Sequence, residues 1–247
     1  MQTSFTHKFW LSYTLFLCLL CQTSFAAPVV IGVYHYPPFM FENQHKGYFY
    51  ELMKVIESLT NIEFQWQSYP YARLDYLFNQ GKVHLEIGSS PKWNTHKITP
   101  GLFTDFFYAI QDVAVYREKQ FDHTATIEKL KGQTIGVVRG YYYPVFEQAF
   151  ADNLIKKIER SNENELLQLL INERINQVFI NQQVFEYLRQ QNPEYNQLTM
   201  GDVVGHYDVA IRVHPDHADL IPILNQAIKQ LKIDGTIERL FKRNLQP

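Results

Sequence analysis

The sequence predicts an α/β fold in which parallel sheets carry helices on both faces. Short apolar runs typical of buried strands alternate with segments whose apolar residues recur at helical spacing. No low-complexity segment or long linker interrupts this alternation. The strands also end in small, polar or aromatic residues. Because open α/β sheets hold their ligands beyond the carboxyl ends of the strands, these endings indicate a binding crevice.

The first half of the chain opens with a strand at residues 29–33, Val-Val-Ile-Gly-Val, which continues into an aromatic loop with two prolines. A helix is predicted at 49–59 because Leu52, Val55, Ile56 and Leu59 share one face. The elements that follow are a strand at 63–67, a helix at 72–79, and strands at 84–87 and 110–116.

The second half of the chain repeats the alternation, beginning with a strand at 134–138 that runs into a tyrosine-rich turn. The further elements are a helix at 145–150, a strand near 155–158, a helix at 164–171, strands at 177–180 and 208–213, and helices at 220–231 and 236–244.

The first 26 residues have the pattern of an export signal. His7 and Lys8 give a weakly basic start, residues 9–20 are apolar or neutral, and cleavage is expected near Ala26. The apolar run is shorter than the roughly 20 residues that a membrane-spanning helix needs. A retained anchor is the alternative.

Both cysteines of the chain, Cys18 and Cys21, lie inside this predicted signal. Each follows a leucine, Leu17 or Leu20, where a lipidated cysteine usually follows a small residue. The expected mature chain therefore has neither disulfides nor thiolate metal sites, and an ordinary apolar core must stabilise it.

The charge and aromatic content narrow the class of ligand. The formal net charge is −2, and no basic stripe is present to neutralise phosphates, which argues against nucleic acid as a partner. Aromatic residues make up 15% of the chain, and tyrosines cluster where loops are predicted. Tyrosine combines a flat apolar ring with a hydroxyl, which suits contact with a small molecule.

A faint internal repeat also suggests two similar lobes. Residues 77–84 match residues 169–176 in pattern, since in both a helix ends, a basic and a β-branched residue follow, and a strand begins. The two strands end on hydrogen-bonding residues, Ser89 and Ser90 in one case and Asn181 in the other. Two such strand ends facing each other would form a cleft.

Five motifs, in order over most of the chain after the signal, resemble the extracellular solute-binding proteins of family 3. The motifs are Tyr36-Pro37-Pro38-Phe39, the segment 77–84 with His84 in place of the usual Asp, Phe103-Thr104, the Leu-Lys-Gly-Gln-Thr-Ile-Gly-Val segment at 130–137, and Asp234-Gly235-Thr236. The resemblance implies a type II periplasmic binding protein-like fold, with two α/β lobes joined by two crossing hinge strands that close on a ligand. Lobe 1 would comprise residues 27–113 plus 208–247, and lobe 2 residues 114–207.

The resemblance also implies a clamp for amino acids that this chain has altered. Relatives hold the carboxylate with an Arg, whose slot falls on Lys97 or, by a subgroup motif, on Asn94. The lobe 2 Asp that holds the ammonium falls on Asn181, and a usual Thr is replaced by Tyr141. Because two charged partners are changed, we expect a small polar or anionic solute that is amino-acid-like but not a standard α-amino acid.

The other predicted ligand-binding residues follow from their positions after strands or at helix starts. They are Tyr36, Phe39, Arg73, Gly88, Ser89, Ser90, Trp93 and Arg139. For each of these the alternative is an ordinary core, turn or surface role. No cofactor and no metal is expected.

The resulting hypothesis is a monomeric periplasmic binding protein that serves a membrane permease of the ABC type. Delivery of a signal to a membrane receptor is the first alternative. A cyclohexadienyl-dehydratase-like enzyme is the second, with Glu86 as the acid. A metal site at His214, Asp216, His217 and Asp219 is disfavoured because acidic residues are explained there by helix capping.

Overall fold

The computed structural model describes residues 27–42, 44–117 and 125–242, so the predicted export signal lies outside it. Mixed α/β structure is confirmed in these residues. The strands are β1 (Val29–Val33), β2 (Phe64–Ser68), β3 (Leu85–Ser89), β4 (Leu102–Phe103), β5 (Tyr108–Arg117), β6 (Thr134–Val138), β7 (Lys156–Arg160), β8 (Gln177–Asn181) and β9 (Leu198–Val213). The α-helices are α1 (Tyr48–Thr60), α2 (Tyr71–Asn79), α3 (Pro91–Asn94), α4 (Ile127–Leu130), α5 (Glu147–Ala151), α6 (Glu163–Ile171), α7 (Gln182–Gln191), α8 (Leu220–Ile233) and α9 (Thr236–Lys242).

The strands form one continuous path, β2-β1-β3-β9-β5-β8-β6-β7, and β4 pairs with β9 to the side. β1 lies between β2 and β3 and is parallel to both, and β6 lies in the same way between β7 and β8. We call β1–β3 the first half-sheet and β6–β8 the second half-sheet. Parallel strands of this kind need helical crossovers, which α1 and α2 supply in the first half-sheet.

Two long strands connect the half-sheets. β9 is antiparallel to β3, β5 is antiparallel to β8, and β5 and β9 pair with each other between them. These are the crossing strands that the resemblance implied near 110–116 and 208–213. β9 extends well before residue 208 because its first part is half-exposed and polar, so it lacks the apolar run by which a buried strand is found.

One helix of ten residues, α7, was not among the predicted elements. It begins directly after β8, and the Asn181 side chain caps it by accepting hydrogen bonds from the backbone N–H groups of Gln183 and Val184. Val184, Phe185 and Leu188 form its buried face. The signal for this helix was therefore present, as a capping residue followed by apolar residues at helical spacing.

The internal repeat has a structural counterpart. His84 precedes β3, and its Nδ1 accepts a hydrogen bond from the Val30 backbone N–H at 3.0 Å. Asn176 precedes β8, and its side-chain oxygen accepts one from the Thr134 backbone N–H at 2.7 Å. In both half-sheets a side-chain acceptor thus binds a backbone N–H at the start of the central strand. His84 can supply such an acceptor as well as the Asp that the family motif has at this position.

Within the described part of the chain, no helix has the length and apolar character that crossing a membrane requires.

Gly88 allows β3 to bend before the two serines, Ser89 and Ser90, that follow it. Its φ of +77° lies in the region that favours glycine, the ladder to β9 shifts register beside it, and a Cβ would lie 2.1 Å from the buried Phe49 ring. Gly132 has the same φ, but a Cβ there would meet nothing within 4 Å.

We therefore expect Gly88→Ala to lower stability much more than Gly132→Ala. Gly132→Ala should cost about 1 kcal/mol of unfolding free energy for the backbone alone. Gly88→Ala should cost about 3 kcal/mol because the clash with Phe49 adds to it. Thermal unfolding of the two variants measures the difference, and equal melting temperatures would contradict the packing argument.

Candidate functional site

A small, partly enclosed cavity lies where the central strands of the two half-sheets end. Its volume is about 30 Å³, which is room for about two water molecules. Nine residues line it: Tyr34, Tyr36, Tyr71, Glu86, Trp93, Asp112, Tyr141, Tyr142 and Tyr143. The cavity is therefore at the predicted crevice beyond the strand ends, and segments following both β1 and β6 contribute to its wall.

Four tyrosine rings form a contact cluster at this cavity, which we call the tyrosine cluster: Tyr34, Tyr36, Tyr71 and Tyr141. The Tyr71 ring centroid lies 5.1 Å from those of Tyr34 and Tyr141, both in edge-to-face geometry. Tyr36 is 5.4 Å from Tyr34 and 6.5 Å from Tyr141. Since Tyr141 follows β6 and the other three precede β3, the cluster joins the two sides of the cavity.

The tyrosine hydroxyls of this cluster stay protonated at neutral pH. Burial raises the pKa values of Tyr34, Tyr36 and Tyr141 well above the ordinary value. Burial, followed by the Glu86 carboxylate, raises the pKa of Tyr71 to about 12. The cavity wall is therefore aromatic and uncharged on these sides.

The turn after β6 lies close to the opposite side of the cavity, formed by residues of the first half-sheet and α2, which we call the first side. Gly140 has a φ of +88°, and a Cβ on it would lie 3.1 Å from the Tyr71 ring. Two residues on, the Tyr142 ring stacks on the His96 ring at a centroid distance of 4.0 Å. A larger residue at 140 would hold the two sides apart.

A buried charge network lies behind the first side of the cavity, and we call it the Arg212 network. Arg212 is fully buried and donates to Asp75 at 2.9 Å and to Glu86 at 2.8 Å. It also donates to the Thr99 and Pro100 carbonyl oxygens and lies over the Phe78 ring. Its charge is thus fully compensated within the protein.

Lys97 completes this network. Its ammonium, on a side chain only 4% exposed, pairs with Asp75 at 2.9 Å and donates to the Tyr71 hydroxyl at 2.9 Å. Burial alone would raise the pKa of Asp75, but the Lys97 ammonium and Arg212 outweigh it and hold that pKa below its ordinary value. Two cations, Lys97 and Arg212, therefore face two carboxylates, Asp75 and Glu86.

Two further acids, Asp112 and Glu163, are buried without a cation. Asp112 lies on β5 and lines the cavity, and Glu163 begins α6 and accepts a hydrogen bond from the Tyr141 hydroxyl at 3.3 Å. Among the described residues neither forms an ion pair. Burial, and after it the Glu163 carboxylate, raises the pKa of Asp112 to about 7, and burial raises that of Glu163 to about 7.

Three of the predicted ligand-binding residues line the cavity: Tyr36, Trp93 and Tyr141. Phe39 lies directly behind this wall, stacked on Tyr36 at 5.1 Å and on Phe49 at 4.8 Å. The structure therefore places Phe39 as the support of the wall.

The three residues of the altered clamp lie near the cavity but outside its lining. Lys97 contacts it through Tyr71, as described above. Asn94 is fully buried and donates to Ser89 Oγ and to the Ser90 carbonyl oxygen. Asn181 caps α7 and donates to the Gln111 carbonyl oxygen. Its cross-strand partner on β5 is Asp112, so an acid lies beside the position where relatives carry one.

The remaining predicted site residues are held away from the lining. Gly88, Ser89 and Ser90 form the buried turn that Asn94 fastens. Arg73 is exposed and lies over the Tyr76 ring, and Arg139 is exposed.

Sequence reasoning did not list Tyr34, Tyr71 and Asp112 as site residues. Tyr34 is two residues before Tyr36, and side chains two apart beyond a strand share a face, which was a usable signal. Asp112 interrupts an apolar strand with an acid, and a charged residue in a buried strand is itself a functional hint. Tyr71 carries no local signal, since tertiary packing brings the start of α2 to the cavity.

The acid proposed for the enzyme alternative and the histidines proposed for a metal have structural partners. Glu86 accepts from Arg212, and the His214 side chain accepts from the Asp216 backbone N–H. Over the residues that the structure describes, no group of three or more His, Cys, Asp or Glu side chains is arranged to hold a metal ion.

Comparison with known proteins places the chain among binding proteins. The family model described as bacterial extracellular solute-binding proteins, family 3, matches residues 29–247. No curated protein sequence matches the chain.

Several solved structures share the fold. A histidine kinase sensor domain with similarity to periplasmic binding proteins aligns with TM-score 0.77 and 17% identity, covering 89% of this chain and 96% of the other. An ancestral arginine-binding protein bound to arginine aligns with TM-score 0.74 and 19% identity, covering 88% of this chain and 98% of the other. A substrate-binding protein of an amino acid ABC transporter aligns with TM-score 0.72 and 19% identity, covering 90% of this chain and 100% of the other. At these identities the likeness confirms the type II periplasmic binding protein-like fold.

The raised pKa values predict how stability depends on pH. An unfolded chain ionises Asp112 near 3.8, whereas the folded protein ionises it near 7. Stability is therefore lost as pH rises from about 4 to 7, by on the order of 4 kcal/mol for this group. Because 1 kcal/mol shifts the melting temperature of a chain of this size by about 2–4 °C, Asp112→Asn should raise it at pH 8 by about 8–16 °C and change it little at pH 4.5.

Asp208→Asn is the matched control because Asp208 is exposed on the other crossing strand, and it should have no effect at either pH. Thermal unfolding by circular dichroism of the ligand-free protein checks both variants. If Asp112→Asn had the same effect at pH 4.5 and pH 8, Asp112 would not be the ionising group.

Proposed function

Because the chain belongs to the bacterial extracellular solute-binding proteins of family 3, we propose that it captures one small polar solute by closing two lobes around it. The observation that carries this proposal is the narrow, partly enclosed cavity whose wall combines residues of both sides, with Tyr141 packed on Tyr71. A solute enters such a cavity only when the sides separate, so binding and closure are one event.

We assign lobe 1 to residues 27–113 plus 208–247 and lobe 2 to residues 114–207. The sheet path supports this division, since β3 and β9 meet in one part and β5 and β8 in the other. The hinge would then lie in β5 and β9, whose pairing shifts register near Asp112 and Val113. Such irregular pairing is where a ladder bends most easily.

The solute is proposed to differ from a standard α-amino acid. Lys97 and Arg212, the two buried cations on the first side, are already paired with Asp75 and Glu86. A ligand carboxylate would have to displace one of these carboxylates. The expectation of an anionic solute gains no support from this arrangement.

We propose that the protein works as a monomer in the periplasm after cleavage near Ala26 and delivers its solute to an ABC-type permease. The amino-terminal pattern and the family support this assignment. Presentation of the closed form to a membrane sensor is the alternative partner, because the same closed surface serves either receiver. Purification of the mature protein with its membrane partner would separate the two.

Glu86, the acid named for the enzyme alternative, is held by Arg212. A dehydratase of this fold would need a carboxylic acid in the cleft that gives a proton to a leaving hydroxyl. Glu86 instead accepts a charge-assisted hydrogen bond from Arg212 at 2.8 Å, so its carboxylate already has a partner within the protein. An assay for loss of water from prephenate or arogenate tests the enzyme alternative directly.

The closure mechanism predicts the result of a solute screen on the purified protein. At least one small solute at a hundred times its Kd should raise the melting temperature by about 5–10 °C, since only the folded form binds it. The same solute should reduce the radius of gyration measured by small-angle X-ray scattering.

Gly140→Val should keep the fold but abolish both responses, because its side chain would press on Tyr71 when the lobes close. Gly132→Val provides the control, with a similar positive φ and open space around it, and should respond as the original protein does. Failure of every solute in a broad panel to change either quantity would refute capture by closure.

A further inference from the structure

We propose that the captured solute is a small organic cation without a carboxylate, held by the aromatic cavity wall and by Asp112. This inference rests on the proposed function and names the chemical class of its ligand. A methylated or unmethylated ammonium group is the chemistry that fits the residues present.

The wall of the cavity is the first argument. Seven of its nine lining residues are aromatic: Tyr34, Tyr36, Tyr71, Trp93, Tyr141, Tyr142 and Tyr143. An organic cation is attracted to the electron-rich faces of such rings, and the attraction is greatest where water is excluded. Because burial keeps the tyrosines of the cluster protonated, these rings offer neutral faces and no competing phenolate.

The balance of charge is the second argument. The cavity is lined by two carboxylates, Glu86 and Asp112. Glu86 is neutralised by Arg212, but Asp112 has no cationic partner among the described residues. Glu163, which reaches the wall through the Tyr141 hydroxyl, adds a second unbalanced acid. A buried carboxylate of this kind is stable in its charged form only beside a positive charge, and a cationic ligand would supply it.

The lack of an available partner for a ligand carboxylate is the third argument. A carboxylate needs a cation or several free donors, and here Lys97 and Arg212 are both taken up by Asp75 and Glu86. The side-chain amide of Asn181, which could donate to a carboxylate, instead donates to the Gln111 carbonyl oxygen. The arrangement thus accepts the ammonium end of an amino acid but provides no partner for its carboxylate end.

A neutral solute explains the site less well. It would leave Asp112 in the cavity wall, and Glu163 behind Tyr141, without a positive partner among the described residues, and burying such acids has a cost that a neutral solute does not offset. The groups around Asp112 are Glu163, Tyr36, Tyr143 and Tyr207, and none of them carries a positive charge.

The experiment compares probes that differ in charge but not in shape. Choline and its uncharged carbon isostere 3,3-dimethyl-1-butanol are titrated into the protein by isothermal calorimetry at pH 8, together with tetramethylammonium, ethanolamine and arginine. At least one of the three carboxylate-free cations should bind, and the affinity for choline should exceed that for its isostere by about tenfold or more.

The site is then tested by substitution and by pH. Asp112→Asn should lower the affinity for the cation by about tenfold or more. Asp208→Asn, on the exposed part of the other crossing strand, should leave the Kd of the cation unchanged. Between pH 6 and pH 8 the affinity should rise by about tenfold, because Asp112, with a pKa of about 7, becomes ionised over this range.

The outcomes separate this inference from the proposed function. If arginine or a neutral solute from the broad panel binds and closes the protein while all three carboxylate-free cations fail, the cation proposal is overturned and capture by closure stands. If a cation binds but Asp112→Asn leaves its Kd unchanged, the assigned site is wrong. If no solute of either panel binds, both proposals fail together.

Discussion

The Arg212 network constrains both the architecture and the binding chemistry of this protein. Arg212 lies on the crossing strand β9 beside Glu86 on β3, and it also contacts Asp75 on α2 and the carbonyl groups at 99–100. One buried guanidinium therefore fastens a hinge strand, a sheet strand, a helix and a loop to each other. Removing the buried carboxylate of Glu86 would leave a buried positive charge uncompensated, which typically costs about 3–5 kcal/mol.

This network also decides what the cavity can recognise. In the proposed lobe 1 the positive charges are neutralised internally, so the surface presented to a ligand is aromatic and locally balanced. Asp112 and Glu163, by contrast, have no ion-pair partner among the residues that the structure describes. This asymmetry favours a positively charged ligand, because the cost of burying two acids without a partner is offset only when a positive group binds beside them. Stability without ligand and affinity for ligand are thus opposed at Asp112.

The elements that sequence patterns located well are those with strong local signals. The strands Val29–Val33 and Thr134–Val138 are continuous apolar runs, and their observed bounds agree with the predicted ones. The long strand Leu198–Val213 was recognised only in its apolar second part, since its first part is half-exposed. In the site, Tyr36, Trp93 and Tyr141 were found from their positions after strands, whereas Tyr71 was not, because packing of a helix start leaves no mark in local sequence.

By itself the sequence determined the class of fold, the order of most strands and helices, the family and the aromatic character of the crevice, because apolar periodicity and short motifs are local properties of a chain. Tertiary structure alone decided which charges are free. From the sequence Lys97 is a candidate anion-binding residue, yet its ammonium pairs with Asp75. Asp112 is one acid within a strand, yet it lines the cavity and forms no ion pair within the described part of the chain. Charge compensation depends on distances between residues far apart in sequence, such as Asp75 and Arg212, and those distances exist only once the chain has folded.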